Sequence, residues 1–146
     1  MVLWRISRHR DLDGVGGLKA PGRWHHVGQP VVYLAESPAS ALLEVCVHTS
    51  ANDVPPQFTL LRISGPDVAV VRTQLDELPE NWRVDLESTR NLGTAWLQNS
   101  TSVLLGIPSA LVPETWNYLF NPAHPGAASF HVVEDYPYPF DVRLKT

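Results

Sequence analysis

The 146-residue sequence holds a single cysteine, Cys46. One thiol can neither close an intramolecular disulfide nor assemble a thiolate zinc cluster, so redox cross-linking has no part in this fold and a reducing compartment is expected. Positive charge is scarce as well. Eleven Lys and Arg stand against fifteen Asp and Glu, a formal charge of −4. A domain that gripped nucleic acid unaided would carry a basic excess to displace counterions from phosphates, so direct DNA binding is disfavoured. Long apolar runs are missing too: Met1-Val2-Leu3-Trp4 gives way to Arg5 and Arg8. No signal peptide or membrane span is expected, and the predicted location is the cytoplasm.

Familiar cofactor and metal signatures are also lacking. Gly14, Gly16 and Gly17 follow Asp11-Leu12-Asp13 in place of a strand, and Lys19 stands where a dinucleotide fingerprint needs its last glycine. A Rossmann site is disfavoured on these grounds, and no phosphate-binding Gly-Lys-Ser/Thr signature occurs in the sequence. The histidines at 9, 25, 26, 48, 124 and 131 have no metal-ligand spacing, so neither a metal nor a bound cofactor is expected. Adjacent His25 and His26 are read as one buried ring and one solvated ring. Cys46 is read as a small buried hydrophobe on a helix and not as a nucleophile beside His48.

What is abundant is punctuation. Thirteen prolines and nine glycines cut the chain into short elements, while a hydrophobic content of 44% suits one core over residues 1–146. Val2 to Ile6 and Val31 to Leu34 read as strands, and the polar, glycine-rich stretch Arg8 to Gly28 between them as a long functional loop. Ser37-Pro38 resembles an N-cap followed by proline at the first helical position, predicting a helix from Pro38 to His48. Ala39, Leu42, Leu43, Cys46 and Val47 would form its apolar side, leaving Ser40, Glu44 and His48 on another face. Gln57–Ser64 and Val68–Arg72 read as a hairpin about Gly65-Pro66-Asp67, a second helix starts at Ser88 or Thr89, and Val103–Ile107, Phe130–Val133 and Phe140–Leu144 are further strands. The class is α+β with strands in the majority.

Polar residues gather in three segments shaped by apolar residues, glycine or proline: Gly22-Arg23-Trp24-His25, Tyr33 through Glu44, and Ile107-Pro108-Ser109 with Asn117-Tyr118-Leu119-Phe120-Asn121-Pro122. Their order and spacing resemble the RES-domain family, named for its arginine, glutamate and serine. Trp4-Arg5-Ile6 resembles the family's opening strand, and Gly22-Arg23-Trp24 with Gly28-x-Pro30-Val31-Val32-Tyr33 its signature. Glu44 falls at the family glutamate. Pro108-Ser109-Ala110-Leu111-Val112-Pro113 and Asn117-x-x-x-Asn121-Pro122-x-His124-Pro125 are similar to the serine segment and the closing Asn-Pro loop. Phe120 replaces a more usual aliphatic residue, and His25 stands where asparagine is common.

The resemblance implies an ADP-ribosyltransferase-like split β-core with flanking short helices, gripping NAD as a substrate. It implies a toxin of a type II toxin–antitoxin pair, held inactive in a hetero-oligomer by an antitoxin of the Xre type whose helix-turn-helix region contacts DNA. Cleaving the nicotinamide–ribose bond creates an oxocarbenium-like ribose, which a carboxylate stabilises. By resemblance Glu44 takes that role, with Arg23 and Ser109 as its catalytic partners. Arg5 and Arg23 suit the pyrophosphate because a guanidinium offers a planar fork of donors. Tyr33 would stack on nicotinamide, and Ser109 would hydrogen-bond near the ribose or a second substrate. Asn121 either supports the substrate site or fixes the Asn-Pro turn, the turn being favoured. The stretch from Arg8 to Gly28 is expected to carry Arg23 on flexible backbone as a cover over the nucleotide. The acceptor of the ADP-ribosyl group is left open among water, phosphate and a protein side chain. A non-catalytic nucleotide- or peptide-binding module is the alternative of a different class. A nucleic-acid domain built on the five tryptophans is disfavoured, because without a basic stripe they fit core packing better.

Overall fold

A computed structural model describes residues 1–145. Seven strands join in one sheet: β1 (Val2–Ile6), β2 (Val32–Ala35), β3 (Gln57–Ser64), β4 (Val71–Arg72), β5 (Leu104–Pro108), β6 (Trp116–Phe120) and β7 (His131–Pro139). Their spatial order is β4-β5-β6-β2-β1-β3-β7, antiparallel throughout except for the parallel β4–β5 pair. Three helices accompany it, α1 (Val15–Lys19), α2 (Pro38–His48) and α3 (Leu86–Asn99).

The run Val103-Leu104-Leu105-Gly106-Ile107 has no polar alternation because β5 is buried on both faces. Leu104, Phe120 and Val32 join Leu3, Leu61, Ile63 and Phe130 in one core. Leu105, Leu119 and Ile107 point the other way, into a second core with Trp24, Trp82, Trp96 and Leu97. The sheet therefore separates two apolar layers; Trp24, Trp82 and Trp96 serve the layer that α3 closes, while Trp116 packs against the other.

The sheet is weakest at its middle. β1 pairs with β3 along five residues and β2 with β6 along four, yet β1 and β2 meet through the single pair Trp4↔Ala35. That short pairing divides the sheet into two wings, β4-β5-β6-β2 and β1-β3-β7.

Several local expectations match residue for residue. β1 and β3 have the predicted bounds, and α2 starts at Pro38 with the Ser37 hydroxyl accepting from the Ser40 amide at 3.1 Å. Others are corrected. Residues 65–72 do not fold back as a hairpin, because β3 already has β1 on one edge and β7 on the other; the chain crosses over and lays β4 parallel to β5. Within the stretch expected to be irregular, α1 forms behind a left-handed N-cap at Gly14, with Asp13 just before it accepting from the Val15 amide at 3.1 Å. Asp85, not Ser88 or Thr89, caps α3: its carboxylate accepts from the Ser88 amide at 3.2 Å and the Ser88 hydroxyl at 2.7 Å. Phe140–Leu144 is not a strand; Asp141 takes the Arg143 amide at 3.0 Å and turns the backbone into a short 3-10 helix over Val142–Lys145. β6 was not anticipated as a strand at all.

α3 also clamps the segment that carries Arg23. The Thr89 hydroxyl donates to the Arg23 carbonyl at 2.5 Å, Arg90 Nε to the Gly22 carbonyl at 2.8 Å, and the His26 amide to the Thr94 hydroxyl at 2.9 Å. Residues 22–26 are thus fixed to a helix, contrary to the expected flexible cover. The approach is so close that a Cβ on Gly93 would lie 1.8 Å from the Trp24 carbonyl oxygen. Gly93→Ala must push α3 off the segment and is expected to cost about 3 kcal/mol or more, lowering Tm by roughly 10 °C. Gly16→Ala, whose Cβ meets nothing within 4 Å, is the control and should leave Tm unchanged or slightly raised in a thermal melt.

Candidate active site

A cavity of about 480 Å³ opens where the sheet splits, within the size range of small-molecule sites. Three successive residues of β1 (Trp4, Arg5, Ile6) and three of β2 (Tyr33, Leu34, Ala35) line it. A flat, fully paired sheet shows only alternate residues to one side, so the lining by successive residues places the cavity at the poorly paired β1–β2 junction. α2 closes one side with Glu44 and His48, and the clamped segment closes another with Gly22, Arg23 and His25.

Four of the six predicted site residues meet here: Arg5, Arg23, Tyr33 and Glu44. Arg5 comes from β1, and its Nη1 reaches the Asp11 carbonyl at 3.4 Å. Burial draws its pKa down while the carboxylates of Asp11 and Asp13 pull it back up, and a guanidinium keeps its charge under such opposing influences. Arg23 projects from the clamped segment and is steadied by donating to the Arg83 carbonyl at 2.7 Å. Glu44 is half-buried on α2, its Oε1 accepting from Asn117 Nδ2 of β6 at 2.9 Å. His48, one helical turn on and largely exposed, stands 3.9 Å from Oε2.

Tyr33 is set by its neighbours. His25 Nε2 lies 2.9 Å from the Ala20 carbonyl, which can only accept, so that nitrogen carries the hydrogen. Nδ1 is then the acceptor for the Tyr33 hydroxyl at 2.7 Å, and the hydroxyl also accepts from the Trp24 amide at 3.1 Å. The phenol is fully engaged and its pKa is pushed up to about 12, chiefly by burial. Tyr33 therefore offers its ring to a ligand and is no proton acceptor. Gly22 leaves room for this arrangement, since a Cβ there would lie 2.4 Å from the Tyr33 oxygen.

Ser109 and Asn121 stand elsewhere. The Ser109 hydroxyl accepts from the Leu111 and Val112 amides at 3.1 and 3.2 Å, shaping the turn after β5; its neighbours Pro108 and Ala110 line the cavity, while Ser109 does not. Buried Asn121 donates to the Leu97 carbonyl at 3.3 Å and the Ser100 hydroxyl at 3.2 Å, and accepts from the Ala123 amide at 3.0 Å. It ties the Asn-Pro turn to the end of α3 and does not line the cavity. Asn117, by contrast, was seen only as part of a polar segment. The register Ala35↔Asn117 and Ile107↔Asn117 brings it to the cavity, and no local pattern signals that pairing.

The RES domain family matches residues 2–141, and the chain belongs to that family. A protein of Pseudomonas putida named Toxin Res is 50% identical over 139 residues, covering 93% of this chain and 95% of its own length. A Toxin Res of Yersinia enterocolitica is 36% identical, covering 99% and 100%. A Prs ADP-ribosylating toxin of a Sphingobium species is 33% identical, covering 97% and 94%. Among solved structures, a chain of the M. tuberculosis MbcT–MbcA toxin–antitoxin complex superposes with a TM-score of 0.75 at 19% identity, covering 94% of this chain and 84% of that one. The two chains share a fold, an α+β arrangement built here on one mixed seven-stranded sheet. No helix among the described residues is long and apolar enough to cross a membrane, and among them no group of His, Cys, Asp and Glu could hold a metal ion.

His25 gives a test by pH. Burial lowers its pKa below the ordinary 6.5, so between that folded value and 6.5 the unfolded chain binds a proton that the folded chain does not. Stability then rises with pH across this window and is lost as pH falls below about 6.5, with a ceiling of about 1.4 kcal/mol per pH unit. Denaturant melts between pH 7.5 and 5.5 should show this slope in the wild type and a shallower one in His25→Asn. Equal slopes would place the proton-linked group elsewhere.

Proposed function

We propose that this chain is the toxin of a toxin–antitoxin pair and that it breaks the nicotinamide–ribose bond of NAD. One observation carries the reading: a single cavity is lined by one glutamate, two arginines and a tyrosine whose hydroxyl is fixed by its neighbours. Those groups answer the three parts of the substrate. Arg5 and Arg23 supply charge-assisted donors for the pyrophosphate. The Tyr33 ring, with its hydroxyl engaged away from the ligand, offers a surface for the planar nicotinamide. Glu44 faces the ribose and stabilises the cation that forms as the bond stretches.

In the reaction the C1′–N bond breaks and its electron pair stays with the nicotinamide nitrogen, so the pyridinium leaves as a neutral ring. The ribosyl cation is captured by the oxygen of water or of inorganic phosphate, and water loses a proton to solvent in doing so. No bound cofactor or metal is needed for this balance. Loss of NAD would arrest growth, and an antitoxin of the Xre type, with a helix-turn-helix region for DNA, would keep the toxin silent in a hetero-oligomer. The similarity to a chain from a toxin–antitoxin complex supports such a partner. Transfer of the ADP-ribosyl group to a protein is the second reading, favoured by the Sphingobium relative whose name records ADP-ribosylation.

The test is purified protein with NAD, with and without phosphate, following free nicotinamide and the mass of the ADP-ribosyl product. Wild-type protein is expected to release nicotinamide, and Glu44→Gln to lower kcat by about 10²- to 10³-fold with little change in KM. Arg23→Ala should act mainly through KM, because the pyrophosphate is bound in ground and transition states alike. Release that needs an added protein extract would transfer the conclusion to the second reading. No release under any of these conditions would overturn both.

A further inference from the structure

Asn117 and Asn121 are four residues apart around β6, and their side chains are treated very differently. Asn121 uses both ends of its amide, with two donated hydrogen bonds and one accepted. Asn117 makes one bond, from Nδ2 to Glu44 Oε1 at 2.9 Å. Its Oδ1 is buried and has no partner among the described residues. The orientation of the amide is not arbitrary, because a carboxylate only accepts and so must face the NH2 end. That bond leaves the oxygen without a partner, at a position of β6 that pairs with Ala35 and Ile107 in the sheet.

A buried acceptor without a partner destabilises a fold, and one that persists calls for an explanation outside stability. We propose that Asn117 is a positioning residue, present to hold the Glu44 carboxylate at the cavity wall and not to support the sheet. α2 alone cannot fix that carboxylate: Glu44 has three rotatable side-chain bonds, and exposed His48 at 3.9 Å is too far for a hydrogen bond. The Asn117 amide reaches it from β6, on the far side of β2 from β1, and so ties the helix's carboxylate to the sheet wing beyond the split. The inference rests on the reading of Glu44 as the group that faces the ribose.

Two variants separate the alternatives. Asn117→Leu removes both the donor and the unpartnered oxygen at similar volume; Asn117→Asp keeps the shape and replaces the donor by an acceptor. Both are expected to melt within a few degrees of wild type, Asn117→Leu at the same temperature or above. In both, kcat for nicotinamide release should fall by about 10- to 100-fold, as for a misplaced catalytic group. KM for NAD should stay within roughly threefold, since Arg5 and Arg23 are untouched. Wild-type kcat in Asn117→Leu, or a KM rise that accounts for the whole loss, would overturn the inference. So would a large fall in Tm in both variants, which would make Asn117 a residue of the fold. If Asn117→Leu alone fails to fold, Asn117→Asp decides by the same measurements. One readout needs no turnover: in wild type the Asn117 side-chain amide protons should be shifted and protected from exchange, and Glu44→Ala should abolish both effects. Protection that survives in Glu44→Ala would overturn the inference. Wild-type protein that releases no nicotinamide while this protection behaves as expected would overturn the proposed reaction and leave the Glu44–Asn117 link standing.

Discussion

The cavity exists because β1 and β2 share a single pair of residues, Trp4↔Ala35. Every other contact in the sheet can be read as holding the wings on either side of that junction. Long pairing of β3 with β1 and β7 stiffens one wing, and the doubly buried β5 with β6 stiffens the other. Sheet twist accumulates between neighbouring strands, and with so little pairing at the middle the two wings separate there. Consecutive residues of both central strands are then exposed to one space. A ligand in that space would touch backbone-fixed positions of both wings, which is a more rigid frame than surface loops provide.

The segment around Arg23 illustrates how a loop can be given comparable rigidity. Thr89 and Arg90, with Thr94 about one turn further along α3, satisfy polar backbone groups of residues 22–26, while Gly93 lets the two segments touch. Trp24, packed 5.9 Å from Trp82, anchors the same segment in the second core. Each link is modest in net free energy, but together they remove the backbone freedom expected of a glycine-rich loop. Arg23 itself lines the cavity, and its guanidinium is held by the Arg83 carbonyl.

Local signals carried the elements whose chemistry is local. Ser37-Pro38 is a cap and a first-turn proline whatever surrounds it, so the bounds of α2 are legible to the residue. β5 was legible as an apolar run. Pairing was not: nothing in Val68–Arg72 says that β3 has no free edge, and nothing in Trp116–Phe120 announces that Asn117 will lie opposite Ala35. The same limit explains the site. Arg5, Arg23, Tyr33 and Glu44 were named from family resemblance and converge, whereas Ser109 and Asn121 sit in turns that shape the wall from behind. Their hydroxyl and amide groups are engaged by backbone amides, the usual work of serine and asparagine in turns.

The most direct test of the account is a crystal structure of the Glu44→Gln variant with NAD, in which slowed turnover preserves the substrate. The account predicts the nicotinamide ring against Tyr33, the ribose beside residue 44 and the pyrophosphate between Arg5 and Arg23. A nucleotide bound elsewhere on the protein, or one in the cavity with its ribose turned away from residue 44, would contradict it.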